Sequence, residues 1–157
     1  KKKLKMEKNL YFINLQKKTN TFADLTLDLD SHTCLSSNKV TGVSVNFPIG
    51  STCKPSKVCI KTCYALTGPI SWDASIKKQK VNELLCIESP NDFSHKIAKE
   101  IAKYKAKDNY FFLRWNGVGD LFKEAVDAIW ELAFLALLVV GRLQDGCFCF
   151  GLSGFRI

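Results

Sequence analysis

The chain has 157 residues, 46% of them hydrophobic, which is enough for one buried core without help from disulfides, so a single domain is expected. Its formal charge is +8, but residues 1–18 hold seven lysines against Glu7 alone, which is +6 and leaves +2 for the rest. The body is nearly neutral, so contact with nucleic acid or another polyanion is expected only from the lysine-rich terminus, unless that run is a solvated tail.

No secretory signal is read, because the apolar run after Asn9 is short and interrupted by Asn14. The first methionine is Met6, which makes it a candidate start. The most apolar stretch, Leu132 to Val140, is nine residues long, short of the roughly 20 a membrane helix needs, so no membrane span is expected. Seven cysteines without a signal segment point to a reducing, cytoplasmic setting, in which free thiols or a metal site outrank disulfides.

Three regions follow from patterning. Residues 1–38 form a basic segment followed by a strand or hairpin, because Leu25, Leu27 and Leu29 alternate with Thr26 and Asp28. Ser31 to Asn38 is polar and reads as a loop. Residues 39–140 read as an α/β core. Val40 to Phe47 predicts a strand ending at Pro48-Ile49-Gly50. Ser71 is placed to cap a helix through about Ile87, whose apolar face is ragged. Ser89-Pro90 opens a clearer helix, with Phe93, Ile97, Ile101 and Tyr104 at helical spacing. Tyr110 to Trp115 predicts a buried strand, Leu121 to Leu135 a helix and Leu137 to Val140 a further strand, giving a strand, helix, strand unit with parallel strands. Trp72, Trp115 and Trp130 are read as core or cleft-wall residues. Residues 141–157 are an atypical tail with Cys147, Cys149 and four glycines, and no lysine follows Lys123.

Chemistry concentrates in two loops. Cys53, Cys59 and Cys63 are separated by five and then three residues, in a segment bent by Pro48, Gly50 and Pro55. Thiolates bind zinc and iron-sulfur clusters, and such spacing wraps one centre at small closure cost. Lys54, Lys57 and Lys61 would offset the thiolate charge and lower the thiol pKa values. A structural zinc would draw a fourth ligand from Cys34, Cys86, His32 or His95, whereas a cluster held by three cysteines keeps one iron open. The second loop, Arg114-Trp115-Asn116-Gly117-Val118-Gly119-Asp120, lies where a strand gives way to a helix, the edge at which parallel α/β sheets bind ligands. If both preceding strands are parallel neighbours, Asn116, Asp120 and the cysteines line one pocket, with Gly117 and Gly119 allowing a ligand close to the backbone. The competing role for Asp120 is a helix cap.

The run from Asn46 to Cys53, the Cys63-Tyr64-Ala65 triplet and the run from Phe112 to Asp120 together resemble the phage and mobile-element proteins called the gene product eighty-eight family, over roughly residues 40–135. The cysteine loop also looks like that of radical S-adenosylmethionine proteins. That looser resemblance implies a [4Fe-4S] cluster on Cys53, Cys59 and Cys63, S-adenosylmethionine on its open iron, and a cofactor pocket flanked by Gly117, Gly119 and Asp120. The fold class expected is α/β, an open parallel sheet or a partial (β/α) barrel, since a complete eightfold barrel takes about 250 residues. The alternatives are a zinc-stabilised module whose basic terminus binds nucleic acid, and a degenerate fragment without activity.

Overall fold

The computed structural model describes residues 12–22, 31–38, 42–103, 112–140 and 149–151. Among them a four-stranded open sheet runs in the order β1 (Leu35–Asn38), β2 (Gly42–Val45), β3 (Phe112–Trp115), β4 (Cys149–Gly151). β1 is antiparallel to β2, whereas β2, β3 and β4 are parallel neighbours. This is the α/β class expected, in its open form, with an antiparallel strand added at one edge. Five α-helices accompany the sheet among the described residues: α1 (12–20), α2 (Lys57–Thr62), α3 (Asp73–Glu88), α4 (Pro90–Ile101) and α5 (Lys123–Val140). Two 3-10 turns, Tyr64–Leu66 and Gly68–Ser71, join α2 to α3.

Strand alternation gives the sheet two unlike faces. Leu35, Val43, Val45, Leu113 and Trp115 point to one side and are buried, while Ser36, Ser44 and Arg114, aligned across β1, β2 and β3, belong to the other. The polar serines explain why β1 reads as a loop in the sequence. Leu35 is nevertheless buried opposite Val45, and the Glu100 carboxylate accepts the backbone N–H groups of Cys34 at 2.8 Å and Leu35 at 2.9 Å. That buried carboxylate fixes the chain's entry to the edge strand.

The apolar face is covered by Val81, Leu85 and Cys86 of α3, Phe93 and Ile97 of α4, and Ala125, Ala128 and Leu132 of α5. α4 begins as its sequence indicates: the Ser89 hydroxyl accepts the Asp92 N–H at 3.3 Å and Pro90 occupies the first turn. α3 has no such cap. Ser71 sits in the preceding 3-10 turn, its hydroxyl donating to the Gly68 carbonyl, and Trp72 takes the capping position without a side-chain bond. The ragged apolar face of α3 has a physical cause, since Gln79, Lys80, Asn82 and Glu83 are buried alongside Ile76 and Leu85. Asn82 donates to the carbonyls of Cys34 and Asn46, and Glu83 accepts from Ser51 and Lys80.

Three further expectations change. Ahead of the expected strand or hairpin the chain forms a helix that sequence patterning did not predict: Phe12, Leu15 and Thr19 recur on one buried face and α1 packs into a second apolar cluster with Ile49, Leu66, Ile76 and Val118. Leu137 to Val140 continues α5 instead of forming a strand, because Ala133 to Leu138 are good helix formers with no breaker before Gly141. The parallel partner of β3 comes later, at Cys149–Gly151, so the strand, helix, strand unit stands with its second strand displaced. Trp115 is buried, but Trp72 and Trp130 are exposed. The alternation from Leu25 to Leu29, the lysines before residue 12 and Tyr104 lie outside the described residues.

Candidate functional site

Parallel pairing of β2 with β3 places the segments after each strand at the same sheet edge. The two loops are joined by four hydrogen bonds. The Phe47 N–H donates to Val118 O at 3.0 Å, the Asp120 N–H to Thr52 Oγ1 at 3.1 Å, the Lys54 N–H to Asp120 Oδ2 at 3.3 Å, and the Tyr64 hydroxyl to Gly117 O. Asp120 therefore serves the cysteine loop. It is not the cap of α5, which starts three residues later at Lys123. Pro48 supplies the bend, its carbonyl accepting the Thr52 N–H at 3.0 Å and the Thr52 hydroxyl at 2.9 Å.

Gly119 is needed for close approach by the protein itself, whereas Gly117 faces side-chain tips. A Cβ on Gly119, whose φ is 86°, would lie 2.5 Å from Phe47 O and 2.8 Å from Thr52 Oγ1. One on Gly117 would lie 2.5 Å from Asn46 Oδ1. Asn116 holds a left-handed φ of 52°, a conformation asparagine tolerates better than most residues, and its Oδ1 is buried without a hydrogen-bond partner among the described residues.

Cys53 and Cys63 are half-buried against the second apolar cluster, and Cys59 is exposed on α2, a helix that buries none of its six residues. The Ser56 hydroxyl caps α2 by accepting the Cys59 N–H at 3.1 Å. Cys34, Cys53, Cys59, Cys63 and Cys86 are free thiols. Burial pushes the Cys53 thiol up to about 12, reinforced by Asp120, then by Cys63 and Cys59. The neighbouring lysines do not lower it, because the groups that reach this sulfur are acidic. Among the described residues, no group of three or more His, Cys, Asp or Glu side chains stands in metal-ligating geometry.

The other ligand candidates are elsewhere. Cys34 and Cys86 are buried in the first core cluster, His32 Nε2 is 2.8 Å from Asn82 Oδ1, and His95 is exposed on α4. Thr52 and Tyr64, which carry two of the four bonds between the loops, escape sequence reasoning because their partners are 68 and 53 positions away. The adjacency of each to a candidate cysteine was the only local signal.

No helix among the described residues is long and apolar enough to cross a membrane. No curated protein and no solved structure matches the chain. Residues 6–136 match the Gene product 88 family, the phage gene product family to which the paired loops pointed. The match spans most of the chain, which therefore belongs to the Gene product 88 family.

Proposed function

We propose that the protein holds an iron-sulfur cluster through Cys53, Cys59 and Cys63 at the shared edge of β2 and β3. The observation that carries this reading is that Cys53 and Cys63 pack against one apolar cluster, with the Asp120 carboxylate accepting the Lys54 N–H beside Cys53. A cationic centre placed among them would favour the ionised thiols, reversing the electrostatic balance at Cys53. Cys59 lies on α2, a helix anchored to the second apolar cluster through Ile60 and otherwise exposed. Three protein ligands leave one coordination position for S-adenosylmethionine or another small molecule.

The test is preparation of the full chain without oxygen, followed by assay of iron, acid-labile sulfide and zinc. Iron and sulfide together, both lost in Cys59→Ala, support the reading. Because Cys59 is exposed, its removal leaves the fold within about 0.5 kcal/mol. A colourless protein without iron or sulfide removes it. One zinc without iron supports the second reading, a structural zinc, for which Asp120 beside Cys53 offers the fourth ligand. The nucleic-acid part of that reading rests on the lysines of residues 1–18 and is tested by salt-sensitive binding to DNA or RNA.

A further inference from the structure

The polar face of the sheet closes over a cavity of about 250 Å³. Ser36, Ser44 and Arg114 form its floor, with Asn46 beside them, and Lys78 and Asn82 of α3 line the opposite side. Two features distinguish it from a packing gap. The lining carries two cationic side chains, Arg114 and Lys78, and no aspartate or glutamate. Two polar atoms of lining residues, Arg114 Nε and Asn46 Oδ1, are buried beside it without a hydrogen-bond partner among the described residues, although leaving such atoms unpaired costs about 1–3 kcal/mol each.

The guanidinium also lies close to the second loop. Gly117 lets Arg114 lie against the loop backbone, since a Cβ there would stand 3.1 Å from a terminal nitrogen of Arg114. Lys78 is tethered by donation to the Leu35 carbonyl, which leaves its ammonium further donors. Asn82 ties this side of α3 to β1 and to Asn46 through its bonds to Cys34 O at 3.1 Å and Asn46 O at 3.0 Å. Pre-positioned donors of this kind are what an anionic oxygen group recognises, and an arginine fork matches carboxylate and phosphate geometry.

We propose that this cavity is a binding site for a small metabolite bearing a carboxylate or phosphate group, held by Arg114 and Lys78. The cavity is smaller than the roughly 300–1,000 Å³ of sites for drug-sized ligands, so the ligand is smaller than a nucleotide. None of the three candidate cysteines lines this cavity, although Gly117 and Val118 border both it and the cysteine loop, and it needs no metal.

Thermal unfolding and calorimetric titration of the full chain, treated with chelator, test it with two probes: glycerol phosphate and malate. Each is compared with sodium chloride at equal ionic strength. A saturable rise in midpoint with glycerol phosphate identifies a phosphate site, and one with malate a carboxylate site; chloride produces neither. Arg114→Gln is expected to weaken binding roughly tenfold or more, with the far-ultraviolet circular dichroism unchanged. Lys78→Met provides a second variant should Arg114→Gln fail to fold, and is expected to weaken binding in the same direction. Absence of a saturable response to both probes, or binding by both variants at wild-type strength, overturns the proposal.

Discussion

The two faces of one short sheet are built for different ends. On one side Leu35, Val43, Val45, Leu113 and Trp115 meet three helices and exclude water, so their cost and benefit are counted in stability. On the other, Ser36, Ser44 and Arg114 occupy the alternate positions of the same strands and border a polar cavity. Strand alternation here puts core packing and the border of a polar cavity on neighbouring residues. Side chains one position apart in β3, Leu113 and Arg114, serve opposite purposes.

Substitutions should break this comparison if it is mistaken. The largest effect belongs to the apolar face: Phe93 is fully buried, its ring 6.2 Å from that of Phe47, and Phe93→Ala is expected to cost about 3–5 kcal/mol in denaturant unfolding. A loss below about 1 kcal/mol would mean the core is assigned wrongly. On the polar face the pattern should invert. In Gly117→Ala the new methyl presses on Asn46 Oδ1 and the end of Arg114, flexible tips that yield, so stability should fall by only about 1 kcal/mol. Its response to glycerol phosphate or malate should nevertheless shrink, because Arg114 is displaced; unchanged binding would show that the guanidinium is not held by this loop.

The smallest effect lies at the junction of the faces, where His32 bonds Asn82. Burial holds the His32 pKa below its ordinary 6.5, outweighing the opposing contribution of Asn82. The neutral ring is thus preferred in the folded chain. Stability is retained above pH 6.5 and declines as pH falls from there through the lowered folded value. His32→Gln should flatten that decline, and an equally steep slope in the variant would assign it to other groups.

Where the sequence was legible, local chemistry was sufficient. Ser89-Pro90 announced α4, the aromatic run before Trp115 announced β3, and the order of cysteine and glycine-aspartate loops pointed to the family. The convergence of the two loops was also readable, because it requires only that β2 and β3 be parallel neighbours. Other features depended on partners far along the chain. Leu35 becomes a strand residue through Val45 and Glu100, and the serines after it disguise that role. The buried polar face of α3 depresses its helical periodicity because Asn82 and Glu83 are paid for by hydrogen bonds to other segments. Arg114 was noticed as part of a loop motif, but its meeting with Lys78 at one cavity arises only in the fold, because the two lie far apart in the chain.

The bonds between Thr52 and Asp120 and between Tyr64 and Gly117 also impose an order of assembly. A nascent chain that has emerged only as far as residue 103 already contains Cys53, Cys59 and Cys63, yet none of the scaffold contributed by β3 and the loop after it. Closing so long a span must precede the organisation of the cysteine segment. The cysteine segment therefore completes its hydrogen bonds only once residues 112–120 have joined the sheet.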